Sequence, residues 1–197
     1  MEFLNIEKVH DGKYLKNYEL SYKNKAGKLK KFEIVSRKEL KIKEDLGQKP
    51  SGVSIVAFRD ERMMLLREFR LSINREIYNL CAGMLEEGES IEDCIKRELY
   101  EETGLSVKRV IDILPPSFSA VGFSDTKTYI AFVEAEGDFE DHTSDNEQIK
   151  AAFYNREQIS ELLKTEDFSS RSQIAAWFFA NGMDINNMTQ ICKAPVV

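Results

Sequence analysis

Residues 83–105 read GMLEEGESIEDCIKRELYEETGL, from Gly83 to Leu105, and set eight acidic side chains against two basic ones. Gly88 is a loop residue, Ser90 an N-cap with Asp93 three positions on, and Gly104 a C-terminal stop, so a helix is predicted over Ile91–Thr103. On a wheel of about 100° per residue, Ile91, Cys94 and Ile95 share one side with Leu99 at its edge. Glu92, Asp93, Lys96, Arg97 and Tyr100 take the other side. Glu98, Glu101 and Glu102, spaced i, i+3, i+4, form a stripe that continues the apolar side, whereas a solvated acidic face would lie opposite it. They also occupy the last turns, where the helix macrodipole is already negative and like charges at this spacing repel.

Three unfavourable choices at one place call for a positive partner. Arg97 faces elsewhere on the wheel and cannot neutralise three glutamates, although its guanidinium can reach a loop carboxylate such as Glu89 and orient it. A hard divalent cation suits the stripe better, because Mg2+ or Mn2+ prefers carboxylate oxygens, keeps several waters and is commonly shared with substrate phosphates. A divalent-metal site at Glu98, Glu101 and Glu102 is the expectation.

Upstream, Ile77–Cys81 reads as a strand running straight into this stretch, preceded by the apolar strands Val53–Phe58 and Met63–Leu66 with the charged turn Arg59–Arg62 between them. Downstream, Arg109–Leu114 and Thr128–Val133 read as strands, Pro115–Asp125 as a loop, Glu134–Asn146 as a mobile acidic loop and Ala151–Tyr154 as a short strand. Helices are predicted over Arg156–Leu163 and Ser170–Ala180, the latter stopped by Asn181-Gly182, with Trp177 and Phe178 assigned to the core. Residues 1–48 form a separate small β unit, in which Tyr18–Tyr22 and Lys31–Val35 alternate around the turn-forming Asn24–Lys28. The breaker cluster Lys49-Pro50-Ser51-Gly52 separates it from residues 49–197.

The chemistry-bearing stretch resembles the Nudix box, Gly-x5-Glu-x7-Arg-Glu-U-x-Glu-Glu-x-Gly-U with U aliphatic. Gly83, Glu89, Arg97, Glu98, Leu99, Glu101, Glu102, Gly104 and Leu105 fill every fixed position. The resemblance implies an α/β fold, the Nudix α/β/α sandwich, here with a small N-terminal antiparallel β unit, and hydrolysis of a nucleoside diphosphate linked to another moiety with Mg2+ or Mn2+. The flanks Ala82–Glu89 and Leu66-Arg67-Glu68-Phe69-Arg70 are similar to the bacterial ADP-ribose and ADP-sugar pyrophosphatases, a branch whose N-terminal unit helps build a homodimer. By that resemblance Glu98, Glu101 and Glu102 are metal ligands together with the backbone carbonyl of Ala82, and Glu101 is also counted among the catalytic groups. Glu147 or Asp145, on the acidic loop Ser144–Ile149, is the candidate general base, and Arg70 is a candidate phosphate ligand because a guanidinium matches phosphate oxygens. The aromatic that stacks on the base stays open among Phe3, Tyr22 and Phe32. One departure is Val121, where the branch usually has a proline before glycine; it bears on the choice of sugar.

Composition sets the outer bounds. A net charge of −6 argues against holding nucleic acid by bulk electrostatics, so a phosphate site must be locally built. Cys81, Cys94 and Cys192 have no CxxC or Cys/His spacing, which suits a reducing compartment, and with no signal-peptide run or membrane-length apolar window the expectation is a cytoplasmic protein without a membrane partner. The best-fitting reaction is ADP-ribose to AMP and ribose 5-phosphate. The alternatives are a pyrophosphatase for another nucleotide sugar or a dinucleotide, and a non-catalytic nucleotide-sugar sensor.

Overall fold

The computed structural model describes residues 1–143 and 148–183. They fall into two compact units: Met1–Ser51 with Pro116–Thr128, and Gly52–Pro115 with the described residues from Tyr129 onward.

The first unit is built on three antiparallel strands in chain order, β1 (Glu2–Asp11), β2 (Lys16–Lys23) and β3 (Leu29–Ser36). The expected hairpin is β2–β3, with Tyr22 opposite Lys30 and Tyr18 opposite Ile34. Its turn closes because the Asn24 side-chain oxygen accepts from the Ala26 and Lys28 amides at 2.9 and 3.0 Å. Period-2 alternation sends Tyr18, Leu20 and Ile34 to a small core with Leu40. β1 carries no such alternation, since almost all of its side chains are exposed, and nothing in its residue pattern announces it. Phe3 meets Tyr22 edge-on at 5.5 Å between centroids.

The second unit contains β4 (Gly52–Arg59), β5 (Arg62–Arg70), β6 (Arg75–Asn79), β7 (Cys81–Met84), α1 (Ile91–Thr103), β10 (Ile149–Tyr154), α2 (Arg156–Thr165) and α3 (Ser170–Ala180). With β8 (Ser106–Phe118) and β9 (Lys127–Glu136), its strands form one sheet in the order β10-β5-β4-β9-β8, with β6 on β5 and β7 on β4. The apolar run of β4 is divided by the pleat. Val53, Ile55 and Ala57 pack with Ile91, Cys94, Ile95 and Leu99 of α1, while Val56 and Phe58 pack with Ile159, Ala176 and Phe179 of α2 and α3. Helices therefore cover both faces, giving the expected α/β/α layering.

The β4–β5 hairpin positions the site. Its turn residues Asp60 and Glu61 both take positive φ, 48° and 59°, as a two-residue turn with matching twist requires. Only Phe58–Met63 and Arg59–Arg62 pair across it. The strands then part, β4 pairing with β7 from Ile55–Cys81 to Gly52–Met84, and β5 with β6 from Leu66–Asn79 to Arg70–Arg75. The segment expected as one strand, Ile77–Cys81, is thus two strands broken at Leu80.

α1 has the expected limits. Ser90 accepts from the Asp93 amide, and Gly104 takes φ 77° with its N–H donating to Tyr100 O at 2.7 Å. A Cβ at Gly104 would also press on the Glu140 backbone. Gly104→Ala is therefore expected to lower stability by about 1–2 kcal/mol, measured as an earlier denaturant midpoint at unchanged slope.

Three expectations are corrected. β8 continues through Pro115-Pro116 to Phe118, where a loop was expected, because it ends the strand order and an edge strand tolerates residues that cannot donate. β9 continues to Glu136 rather than giving way to a loop at Glu134, whose carboxylate is held by Lys108 and Arg109 of neighbouring β8 at 2.6 and 3.3 Å. Trp177 and Phe178, expected in the core, are 54% and 53% exposed. α3 is apolar nearly all round, and the row it buries is Ser172, Ala176 and Phe179.

Candidate active site

A cleft of about 390 Å3 opens in the second unit, lined by Glu68 and Arg70 of β5, Ala82 of β7, Glu102 of α1, and Gln148 and Ile149 at the start of β10. It exists because β4 and β5 part: β7 brings Ala82 to one side and the end of β5 brings Glu68 and Arg70 to the other.

Glu98 lies against Gly83. It is 8% exposed, and a Cβ on Gly83 would overlap its carboxyl carbon and both oxygens, so only glycine leaves room there. Burial pushes the Glu98 carboxyl above its usual range, against the opposing pull of Arg97. Arg97 Nη1 donates to Glu98 Oε1 at 2.8 Å and to Glu101 Oε2 at 3.0 Å. Its Nε and Nη2 meet the two Glu89 oxygens at 2.8 and 2.9 Å, and Nη2 also donates to Met84 O. The fork holds Glu89 down to about 2, and Glu89 in turn accepts from the Glu86 amide, which ties the loop before α1 to the helix. The expected Arg97–Glu89 contact is present. The expectation that Arg97 faces away from the acidic stripe is not: its long side chain reaches two of the three glutamates, a reach the Cα position on a wheel does not convey.

Glu102 accepts from the Ala82 amide at 3.1 Å. Burial pushes its carboxyl up to about 8, with the charges of Glu98 and Glu68 acting in the same direction and the Cys81 and Ala82 contacts opposing. Such a carboxyl binds its proton more tightly folded than unfolded. The contribution of this proton to the stability of the metal-free protein is therefore fully present below the ordinary range around 4.5 and is lost as pH rises to about 8. The melting temperature of chelator-treated protein should fall more steeply across that interval than that of Glu102→Gln, and should recover at pH 8 on adding Mg2+.

The structure thus brings together Glu98, Glu102, Ala82, Arg97 and Glu89, and places Arg70 on the cleft with its side chain 52% exposed. Glu101 is on the exposed edge of the stripe, turned to Arg97. Among the described residues no three His, Cys, Asp or Glu side chains form an ion-holding group, since Arg97 engages Glu98 and Glu101 and the Ala82 amide engages Glu102. Asp145 and Glu147 lie outside the described residues. The donor chemistry nonetheless fits a hard divalent cation: carboxylate oxygens, two of them on side chains whose burial disfavours the charge they carry. Glu68, absent from the expected set, was reachable from the sequence by extending the β5 alternation Met64, Leu66, Glu68, Arg70 beyond its apolar part.

The NUDIX domain family matches residues 48–178, and the chain belongs to that family. It is 30% identical over 129 residues to the ADP-ribose pyrophosphatase of Bacillus subtilis (strain 168), covering 65% of this chain and 63% of that protein. It is 28% identical over 137 residues to the ADP-sugar pyrophosphatase of Mus musculus, covering 67% and 60%. The chain thus spans about three fifths of the length of these curated relatives. The solved structure of an ADP compounds hydrolase shares the fold, with a TM-score of 0.67 at 20% identity over 91% of each chain.

Proposed function

We propose that this protein hydrolyses the pyrophosphate bond of a nucleoside diphosphate sugar, with ADP-ribose giving AMP and ribose 5-phosphate. One observation carries the reading: Glu102 is half-buried on the wall of a cleft that also presents the Arg70 guanidinium, and Glu98, buried one turn earlier on the same helix, is fitted against Gly83. The relatives named above, ADP-ribose and ADP-sugar pyrophosphatases, support the substrate class.

Mg2+ or Mn2+ held by Glu98, Glu101, Glu102 and the Ala82 carbonyl would neutralise the pyrophosphate oxygens and the departing phosphate. The chain's own groups do the rest. Arg97 ties Glu98, Glu101 and the Glu89 loop together, and a cation would draw Glu98 and Glu101 from that guanidinium toward Glu102. Arg70 offers a guanidinium fork to phosphate oxygens. Water adds to one phosphorus as the bridging oxygen leaves with the other phosphate, and the water's proton passes to Glu147 or Asp145, a role that rests on the resemblance of Ser144–Ile149 to the family's base-bearing loop.

The first unit is assigned to pairing of two copies in a homodimer, again from the resemblance. Cytoplasmic work is consistent with Cys81 and Cys94, both free and buried, and no described helix is long and apolar enough to cross a membrane. The net charge of −6 favours a small anionic substrate over nucleic acid.

Incubation with Mg2+ and a panel of ADP-ribose, other nucleotide sugars, dinucleotides and nucleoside triphosphates, with chromatographic resolution of products, tests this. AMP and ribose 5-phosphate from ADP-ribose, abolished by chelator, are expected. Preferential cleavage of a dinucleotide would move the assignment, and tight binding without product from any compound would make the protein a sensor.

A further inference from the structure

Along β5 the side chains facing α1 run Met64, Leu66, Glu68, Arg70, from core hydrophobes through a carboxylate to a half-exposed guanidinium. Glu68 is 7% exposed. A buried acid at the end of an apolar row is costly unless its partners compensate it, and its ion pair, Arg70 Nη1 to Glu68 Oε2, is single and long at 3.3 Å. The neighbouring Arg67 shows what an ordinary pair on this strand looks like: it meets Glu76 at 2.9 Å with both groups partly exposed.

What fixes Glu68 comes from the other side. Asn79 Nδ2 donates to Glu68 Oε1 at 2.6 Å. The Asn79 side-chain oxygen is itself occupied twice, by Ser169 Oγ at 2.6 Å and by the Leu80 amide at 2.9 Å. Ser169 is the N-cap of α3, so its position is set by that helix. The chain of contacts runs from a helix cap through Asn79 and Glu68 to Arg70, each link committed in one orientation. The free end is the guanidinium lining the cleft. Local rules are broken where function compensates for the break, and the poorly compensated member here is Glu68.

We infer that Glu68 is a positioning residue for substrate binding: anchored by Asn79 and Ser169, its carboxylate holds the Arg70 guanidinium in the orientation that receives a phosphate. This rests on the reading of the cleft as a pyrophosphate site. A preoriented fork loses less freedom when phosphate arrives, so the contribution appears in binding and is uniform through the reaction.

A double-mutant cycle tests it, using Glu68→Gln, Arg70→Ala and the pair, read both by ADP-ribose kinetics with Mg2+ and by calorimetric binding of magnesium pyrophosphate. Gln keeps the volume and an oxygen for Asn79 but loses the charge on Arg70. Glu68→Gln should raise KM and weaken pyrophosphate binding about tenfold with kcat within about twofold, and should add less than about twofold once Arg70 is alanine. Asn79→Ala, which loosens the anchor while leaving both charges, should shift KM in the same direction, with melting curves confirming that each variant is folded. Equal effects of Glu68→Gln with and without Arg70, or a fall in kcat alone, overturn the inference. Coupling in pyrophosphate binding without any turnover keeps the positioning role and removes the hydrolase reading. Absence of both pyrophosphate binding and turnover in the wild type removes both.

Discussion

Glu102→Gln is expected to lower kcat for ADP-ribose at saturating Mg2+ by about 10²–10³-fold while leaving the fold intact. The amide keeps the side chain's volume, and its oxygen can still accept from the Ala82 N–H that meets Glu102 at 3.1 Å. It removes the negative charge in a pocket where burial already pushes that charge toward neutralisation. Loss of the charge therefore costs the folded chain little, and the melting temperature of the variant without metal should equal or exceed that of wild type above pH 7. Steady-state kinetics across a Mg2+ titration measure the effect. Turnover near the wild-type value would remove Glu102 from the ligand set.

Gly83→Ala is expected to separate activity from stability in the same way by a different route. The added methyl would overlap the Glu98 carboxylate, which is the free end of a flexible side chain rather than backbone. Glu98 can swing aside, giving up its 2.8 Å contact with Arg97 and regaining water, so the change in folding stability should stay within about 1–3 kcal/mol. The carboxylate then stands in the wrong place, and turnover should fall by about 100-fold or more, because misplacement of about 1 Å has that scale of effect. Paired measurement of kcat and denaturant midpoint checks the prediction. A variant as active as wild type would show that the position of Glu98 against Gly83 is incidental.

The helix that carries this chemistry is legible to the residue, because its signals are local: a serine cap, a glycine stop and an apolar row at helical spacing all sit within 23 residues. The separation of Glu98 and Glu102 from the solvated acids follows from the same wheel, and both are found on the side that packs inward. Legibility stops where a side chain's length or a distant neighbour decides. Arg97 starts on the opposite side of the wheel and still reaches Glu89, Glu98 and Glu101, since a guanidinium on a flexible stem is not confined to the face where its Cα lies. Glu68 looks like part of a charged strand end until Asn79 and Ser169, 11 and more residues away, are known to close on it. Trp177 and Phe178 fail for the opposite reason. α3 has too much apolar surface for periodicity to choose a face, and its small residues Ser172 and Ala176 are the ones that fit against the sheet.

The parting of β4 and β5 also bears on how such a chain can change without losing its chemistry. β7 is held to β4, and Leu80 alone separates it from β6, so an insertion there would shift Ala82 relative to Glu102. The turn between β5 and β6 is under no such constraint: residues 71–74 are exposed, and Asn74 already adopts a left-handed turn conformation with φ 51°. Leu71 and Ser72 in that turn line the cleft. Lengthening or shortening it would reshape the entrance while the paired strands and α1 keep their register, because exposed turns absorb insertions that buried backbone cannot. The architecture therefore separates the helix-borne carboxylates from the turn at the mouth of the cleft, and leaves the second free to drift.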